Sequence, residues 1–227
     1  MLREIRRRLI SLPFRFAKRL SRKGLNRWLA ERIGQLSPDG RILQVGTAGP
    51  IPALVRRMAP DRVVTLDVNP DKKPDIVCDI CDMKNVFDND TFECVILAEV
   101  LEHIPMPQGA LDEIFRILEP EGVLLGTTPF LFPLHALPHD YYRYTEYGLC
   151  HLLRAYRAVE VTPRNHYGEA IGVLFVRFMY IDTPCKLLRG AIMFALGVLL
   201  YPLLWLLCQG TTGRQLGPTG YVWVARK

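Results

Sequence analysis

Residues 129–145 concentrate side chains that can move a proton or hold a charged group. Two histidines, an aspartate and an arginine lie there among prolines and aromatic residues: His135, His139, Asp140 and Arg143. A histidine with a pKa of about 6.5 can take the proton that an attacking oxygen or nitrogen loses. Asp140 can orient such an imidazole, and Arg143 can hold an anionic group on a substrate. Alternatively, Asp140 and Arg143 form an ion pair that pins the segment, with His139 as a structural hydrogen-bonding group.

A short turn with the sequence GTAG, residues 46–49, follows a predicted buried strand at residues 41–45. Small residues at the first strand-to-helix turn of a parallel sheet let backbone N–H groups approach a cofactor closely. A plain tight turn uses the same residue types. Asp67 ends a second predicted strand, twenty-one residues after Gly46. A carboxylate at that point can accept hydrogen bonds from both ribose hydroxyls of a nucleotide-like cofactor.

A third predicted strand, residues 75–79, ends in Asp79. Its carboxylate can meet an adenine amino group, while the backbone of Ile80 contacts the ring edge. Because parallel strands end at one edge of a sheet, the turn and the two aspartates predict a cofactor crevice. Each aspartate taken singly also fits a helix cap or a turn.

Alternating strands and helices must position these groups. Further strands are predicted at residues 92–97, 123–127, 158–162 and 221–225. Helical spacing follows the GTAG turn and recurs at Leu111, Ile114, Phe115 and Leu118, before Pro120 and Gly122. This alternation predicts an α/β fold with a parallel sheet covered by helices on both faces.

With these motifs in place, the chain resembles the class I S-adenosylmethionine-dependent methyltransferases. It is most similar to the broad group that includes quinone-biosynthesis and related small-molecule methyltransferases. The motifs that carry the resemblance are ILQVGTAG (42–49), VTLDVN (64–69), CDI (78–80), FECVI (92–96), EVLEH (99–103) and LEPEG (118–122). They cover roughly residues 40–160, about half of the chain.

The resemblance implies a Rossmann-like seven-stranded methyltransferase sheet, mostly parallel with an antiparallel last strand, and S-adenosylmethionine as the cofactor. It implies that Gly46 lines the methionine moiety and that Asp67 holds the ribose. Asp79 and Ile80 read the adenine, and Glu99 faces the methyl group that is transferred. The other predicted cofactor contacts are Thr47, Gly49 and Val68.

The cofactor turn departs from the usual pattern of this family. Gln44 stands where the first strand usually ends in an acidic residue, and Ala48 and Pro50 stand where glycine is usual. A catalytically degraded, membrane-associated scaffold is therefore an open alternative. An NAD-dependent oxidoreductase is a further alternative, although it would require glycine at Ala48 and a third glycine opening the helix.

The amino-terminal residues 1–36 are predicted to form a basic amphipathic arm. Residues 1–27 hold ten Lys or Arg and one acid, whereas the whole chain has a net charge of +6. The remainder is therefore mildly acidic, which argues against nucleic-acid binding across the body. Basic residues interleaved with apolar and aromatic ones favour the headgroup region of an anionic membrane. A mitochondrial presequence and a solvated helix packed on the body are the alternatives.

Residues 191–208 are eighteen residues without a charge. A helix of that length just crosses a bilayer core, but Pro202 interrupts it. The chain is therefore divided into the arm, a methyltransferase core at 37–165, an apolar membrane-associating insert at 166–216 and a strand at 217–227 that completes the core sheet. If that strand joins the sheet, both ends of the insert lie on one side of the membrane. We expect a monotopic or re-entrant protein on a cytoplasmic membrane face, with a single-pass helix as the alternative.

These features predict transfer of a methyl group to an oxygen or nitrogen of a small or lipid-like acceptor at a membrane surface. No metal is expected, since the C-x-x-C of Cys78 and Cys81 has no second pair or histidine cluster in the sequence. The sequence also lacks the G-x-S-x-G, P-loop and H-E-x-x-H patterns.

Overall fold

The computed structural model of the protein describes residues 21–22, 24–178, 202–203, 206 and 217–227. The chain divides into two compact units. The larger unit comprises Gly24–Pro129, Ala136–Thr162 and Tyr221–Lys227, and the smaller unit comprises Met1–Lys23, Phe130–His135 and Pro163–Gly220.

Seven strands form one sheet whose order is β3-β2-β1-β4-β5-β7-β6. The strands are β1 (Ile42–Val45), β2 (Val63–Asp67), β3 (Ile76–Val77), β4 (Phe92–Ala98), β5 (Leu118–Pro129), β6 (Arg157–Pro163) and β7 (Gly220–Arg226). The first five are parallel neighbours. The last strand runs the other way, since the backbone N–H of Lys227 at its end donates to Gly122 O near the start of β5. The predicted fold class is confirmed.

The register of the parallel strands brings their carboxyl ends to one edge. Val45 pairs with Leu66 of β2 and with Leu97 of β4. Asp67 pairs with Val77 at the end of β3. The residues that follow β1, β2 and β4 therefore lie side by side at this carboxyl edge.

Helices of the larger unit are α1 (Leu25–Ile33), α2 (Ile51–Met58), α3 (Pro107–Ile117) and α4 (Glu146–Leu152), with short 3₁₀ helices at Pro70–Lys72 and Leu101–His103. The smaller unit contains α5 (Tyr167–Phe178). The helix α1 lies in the range predicted for the arm, and its Leu25, Leu29 and Ile33 are buried in the main core. The same core includes Ile42, Ile51, Val55, Cys94, Ile96, Val222 and Val224.

The strand β5 is longer than predicted, and β3 is shorter. The spacing of apolar residues extends α3 to Leu118, but the helix ends at Ile117 and Leu118 is already extended. Pro120 lacks an N–H group, and proline disfavours helical geometry in the residue before it, so the chain leaves the helix early. The strand β3 keeps two residues, Ile76 and Val77, which pair with Leu66 and Asp67 of β2 at the edge of the sheet.

Among the described residues, the structure contains no helix long and apolar enough to cross a membrane. The predicted arm up to residue 20 lies outside the described residues, and so does most of the uncharged run 191–208. Pro202, Leu203 and Leu206 of that run are described, and all three are exposed. The membrane prediction therefore stays a prediction.

Candidate functional site

The GTAG turn follows β1 at the carboxyl edge. Gly46 has a φ of 77°, and its N–H donates to Leu66 O at 2.8 Å. A Cβ atom at this position would lie 2.7 Å from Cγ2 of Val100. Gly49 also has a positive φ, 81°, but a Cβ atom there would meet nothing within 4 Å. The backbone at Gly46 thus requires glycine for two reasons, its left-handed conformation and the close approach of Val100.

Gln44 occupies the position where the family usually has an acid. Its side chain is 1% exposed. The amide Nε2 donates to Val45 O at 2.8 Å and Gly46 O at 3.3 Å. Within the described residues, Oε1 has no hydrogen-bond partner. A buried acceptor without a partner is costly, so this oxygen, next to the turn, is suited to a donor from a bound ligand.

Asp67 is held in place by the turn opposite it. Its Oδ2 accepts hydrogen bonds from Thr47 N and Thr47 Oγ1, both at 2.8 Å, and its Oδ1 accepts one from Asn69 N at 2.9 Å. Burial raises the pKa of this carboxyl, but the bonds from Asn69 and Thr47, with the charge of Lys72, outweigh it and lower the pKa below its ordinary value. Asp67 is therefore ionised at neutral pH, and Oδ1 keeps a lone pair for a ribose hydroxyl, whereas Oδ2 already accepts two bonds from Thr47.

Replacing Thr47 with valine should raise the pKa of Asp67, because the hydroxyl donor to Oδ2 is lost while the shape is kept. The carboxylate stabilises the fold above its ordinary pKa, and this stability is lost as the pH falls through the lowered pKa. In the valine variant we expect that loss, and the loss of cofactor affinity, to begin at higher pH. Cofactor titrations between neutral and acidic pH measure the shift, and Thr47→Ser should behave as the unmodified protein. A valine profile that superimposes on the unmodified one would contradict the assignment.

The residues predicted to read adenine follow β3. Oδ1 of Asp79 accepts a hydrogen bond from Cys81 N at 2.9 Å, which is the turn geometry that the sequence left open as the alternative. The side chain of Asp79 is exposed, whereas Ile80 is 7% exposed. Val68, directly after Asp67, is 68% exposed. Asp79 therefore has a structural bond and remains accessible to a ligand.

Glu99 follows β4 at the same edge. Its φ is 57°, which is uncommon for a residue other than glycine. Its N–H donates to Thr127 O at 2.9 Å, and its Oε1 accepts from Thr127 Oγ1 at 2.8 Å. Thr127 is fully buried. The neighbouring strand thus fixes an unfavourable backbone conformation, a feature that concentrates at functional sites.

Asp140 and Arg143 form the ion pair that was the alternative to a catalytic role. Oδ1 of Asp140 lies 2.6 Å from Nη1 of Arg143, and Oδ2 lies 2.7 Å from Nη2. The Asp140 side chain is fully buried, and that of Arg143 is 21% exposed. The hydrogen bond to Asp140 raises the pKa of Arg143 despite burial, with Glu102 and Glu99 adding to the effect. Both oxygens of Asp140 bind the guanidinium, as the alternative interpretation expected, and the orientation of a histidine by Asp140 stays a prediction.

His139 is exposed, and its Nδ1 lies 3.0 Å from the hydroxyl oxygen of Tyr141. Its backbone O lies within hydrogen-bond distance of Nδ1 of His103, in the 3₁₀ helix after β4. The larger unit thus places His139 next to the segment that follows Glu99. His135 belongs to the smaller unit, where its ring meets that of Phe132 edge-on at 5.6 Å.

Breaking the ion pair is expected to loosen this segment. The Asp140→Asn variant leaves the half-buried guanidinium of Arg143 without its charged partner, at a cost of about 2 kcal/mol of unfolding free energy. Urea denaturation measures the loss, and hydrogen exchange should show faster opening of residues 139–144. Asp112→Asn, at an exposed position on α3, is the matched control. Equal stability of the two variants would argue against a structural role for the pair.

The sequence did not reveal several of the contacts that organise the site. Thr47 was predicted as a cofactor contact, yet it holds Asp67. Thr127 holds Glu99, and the backbone O of Glu102 accepts from Tyr141 N at 2.9 Å and Tyr142 N at 3.2 Å. Sequence offers a weak signal for Thr127, a polar residue inside an apolar strand, and no signal for the backbone contacts.

The described residues fit S-adenosylmethionine. The turn is open at Gly49, where a Cβ atom would meet nothing within 4 Å, and Oδ1 of the ionised Asp67 can receive a ribose hydroxyl. The unpartnered Oε1 of Gln44 can accept a hydrogen bond from an ammonium group such as that of a methionine moiety. The amide of Gln44 can therefore accept a hydrogen bond from the cofactor as the usual acid would, although it carries no negative charge.

Comparison with known proteins identifies the family. Residues 3–158 match the family described as a methyltransferase domain, which is more than half of the chain. No curated protein sequence matches the chain. The match confirms the predicted family and, with it, S-adenosylmethionine as the cofactor.

Solved structures show the same fold at low sequence identity. A SAM-dependent methyltransferase from Archaeoglobus fulgidus is 13% identical, with a TM-score of 0.59, and the match covers 91% of this chain and 94% of that one. The [4+2]-cyclase SpnF is 17% identical, with a TM-score of 0.55 and coverage of 89% and 81%.

Phosphoethanolamine N-methyltransferase 2 from Haemonchus contortus, in complex with S-adenosyl-L-methionine, is 14% identical, with a TM-score of 0.55 and coverage of 93% of this chain and 56% of that one. At these identities the structures establish the fold alone, and the site residues are argued from their own geometry. The family match and the sheet agree: the chain belongs to the methyltransferase-domain family and has the fold of the class I S-adenosylmethionine-dependent methyltransferases.

Proposed function

We propose that this protein transfers a methyl group from S-adenosylmethionine to an oxygen or nitrogen of a small or amphiphilic acceptor at a membrane surface. The observation that carries the proposal is the coupling of the glycine turn to Asp67. Two hydrogen bonds from Thr47 fix the carboxylate beside the backbone that must approach the cofactor. A fold that had lost its cofactor would have no reason to keep this carboxylate ionised and oriented at the crevice.

When bound, S-adenosylmethionine supplies an electrophilic methyl group. The residues of the chain then have to orient the acceptor and remove its proton. Glu99, fixed by Thr127, lies in the segment that follows β4 and is the proposed neighbour of the reacting centre. In this proposal Asp140 and Arg143, through their ion pair, position the segment that carries His139.

His139 is the proposed base. Its Nδ1 is next to the Tyr141 hydroxyl, so Nε2 is the atom assigned to take the acceptor proton. The His139→Asn variant should lower kcat about 100-fold while cofactor affinity stays unchanged. Steady-state rates together with a binding titration separate the two quantities. His151→Asn, on the exposed side of α4, is the control. An unchanged kcat in the His139 variant would remove it from the mechanism.

The membrane part of the proposal is supported by the sequence. The ten basic residues in 1–27 suit an anionic surface, and the uncharged run 191–208 suits contact with lipid. The proposed location is a cytoplasmic membrane face, and the proposed acceptor is a small or lipid-like molecule rather than a nucleic acid.

The two alternatives differ in what the structure supports. A dinucleotide-dependent oxidoreductase of the doubly wound type has the strand order 3-2-1-4-5-6, whereas here the antiparallel β7 lies between β5 and β6. A degraded scaffold is favoured by the neutral Gln44 and by Ala48 and Pro50. However, Ala48 and Pro50 are both exposed, so their side chains do not fill the turn.

The proposed activity is tested by supplying the full chain, in vesicles, with S-adenosylmethionine that carries a tritiated methyl group. Methyl transfer to an acceptor from a membrane extract should appear in the organic phase and should disappear in the His139→Asn variant. Cofactor binding without transfer to any fraction of the extract would favour the scaffold.

A further inference from the structure

We propose that the larger unit turns the carboxyl edge of its sheet toward a lipid bilayer through an exposed apolar patch. The patch consists of Met106, Leu137, Tyr141 and Tyr142. The inference deepens the proposed function, on which it rests, because it assigns the route by which the acceptor reaches the site.

The patch exposes large apolar side chains to an unusual degree. Leu137 is 70% exposed and Met106 is 67% exposed. Tyr141 and Tyr142 are 45% and 38% exposed, and their ring centroids lie 6.4 Å apart. Single exposed apolar residues are ordinary, but a group of them on two segments joined by a hydrogen bond, from Tyr142 to Pro105 O, indicates a binding surface.

Hydrogen bonds hold the patch in shape. The N–H groups of Tyr141 and Tyr142 both donate to Glu102 O, at 2.9 and 3.2 Å. The hydroxyl of Tyr142 donates to Pro105 O at 2.9 Å, next to Met106. A turn closed by His139 N and Ala136 O, at 3.1 Å, presents Leu137. These apolar side chains are therefore displayed by a fixed scaffold.

The patch lies at the cofactor edge. Its contacts are with the 3₁₀ helix Leu101–His103 and with Pro105, which directly follow β4 and Glu99. Gly46 and Asp67 follow β1 and β2 at the same edge, as the strand register requires. A surface that binds to this patch therefore lies next to the edge of the sheet that holds Gly46, Asp67 and Glu99.

The chemistry of the chain points to lipid as the occupant. Tyrosine, with an apolar ring and a polar hydroxyl, is enriched where membranes meet water, and leucine and methionine suit the acyl boundary. The same chain carries ten basic residues in 1–27, which complement anionic headgroups, and eighteen uncharged residues at 191–208. A soluble partner would account for the patch but not for these two segments.

This orientation assigns the acceptor to a chemical class. A molecule that enters from the bilayer has an apolar body and presents its reactive oxygen or nitrogen at headgroup level. The exposed His139 lies between Leu137 and Tyr141 in the chain, so the proposed base is placed where such a polar atom would arrive.

The test uses the full chain and phosphatidylcholine vesicles that contain a minority of phosphatidylglycerol. Met106→Glu and Leu137→Glu should each weaken vesicle binding roughly tenfold, because each removes one apolar side chain from the boundary and adds a charge. Val86→Glu is the control, since Val86 is 39% exposed and lies in the turn before the opposite, amino end of β4. All three variants should bind S-adenosylmethionine as the unmodified protein does, so a failure of cofactor binding in every protein would count against the proposed function instead.

Hydrogen exchange gives a second readout. Amides of residues 136–142 that are not already bonded should be protected when vesicles are added, and the glutamate variants should lose that protection. Vesicle binding that is equal in the patch variants and the control would overturn the proposal. Equal protection with and without vesicles would also overturn it, because another part of the protein would then cover the patch.

Discussion

Replacing Asp67 with asparagine is expected to weaken the binding of S-adenosylmethionine about thirtyfold. Oδ1 of the carboxylate offers one charge-assisted hydrogen bond to a ribose hydroxyl, worth roughly 2 kcal/mol. An asparagine amide also brings a donor, Nδ2, toward Thr47 N or Asn69 N, which already donate to the two carboxylate oxygens. The variant therefore loses the charge and misplaces a donor. Calorimetric titration measures the change in Kd.

Asp71→Asn provides the matched control for this variant. Asp71 is an exposed acid in the 3₁₀ helix Pro70–Lys72, four residues after Asp67, so its replacement changes the net charge equally. We expect its Kd to stay within about twofold of the unmodified protein, since a distant, screened charge contributes little. If the two variants bound the cofactor equally well, the ribose would have to be held elsewhere.

Replacing Gly126 with valine is expected to cost at least ~3 kcal/mol of unfolding free energy. A Cβ atom at Gly126 would lie 1.9 Å from Cζ2 of Trp223 and 2.2 Å from two further ring atoms. Trp223 is fully buried in β7 and has no space to retreat into. The new side chain must therefore displace the ring of Trp223 from its place in the core. Urea unfolding, followed by circular dichroism, measures the loss.

Gly109→Ala also adds a side chain at a glycine, but here we expect the protein to become more stable. Gly109 lies in α3, and a Cβ atom there would meet nothing within 4 Å. Alanine should stabilise the helix by about 0.5–1 kcal/mol. A valine at Gly126 that was tolerated as well as this alanine would show that β7 does not pack against β5 as described.

Local pattern was enough to predict the sheet. The strand β2 has the predicted bounds, β1 and β4 differ by one residue at one end, and β6 and β7 are one residue longer at each end. Buried parallel strands are continuous apolar runs bounded by turn residues, and such runs are visible without tertiary information. The end of α3 was harder to predict. The apolar spacing that continues to Leu118 favours a longer helix, whereas Pro120 favours a shorter one, and the sequence does not show which effect is stronger.

The sequence predicted where the site residues lie on the sheet, but it did not predict the hydrogen bonds that they form. Gly46 and Asp67 were found because a parallel sheet places their chemistry at fixed points. The pairing of Asp140 with Arg143 could not be separated from a catalytic use, since both functions require the same residues three apart. Which oxygen Thr47 engages depends on the register of β1 against β2, and this follows from tertiary packing.

The patch of the larger unit illustrates the same limit. Leu137, Tyr141 and Tyr142 are apolar or aromatic residues in a segment rich in proline, and from sequence they suit a core as well as a surface. In the structure, backbone bonds to Glu102 hold Tyr141 and Tyr142, and a turn between Ala136 and His139 holds Leu137, with all three side chains exposed.

The most direct test of the account is calorimetric titration of the detergent-solubilised full chain with S-adenosylmethionine, S-adenosylhomocysteine and NAD. We predict micromolar binding of the first two, no binding of NAD, and about thirtyfold weaker binding of the first two in the Asp67→Asn variant. Absence of binding by S-adenosylmethionine and S-adenosylhomocysteine to folded protein would contradict the account. It would mean that Gln44, Ala48 and Pro50 mark a lost cofactor site.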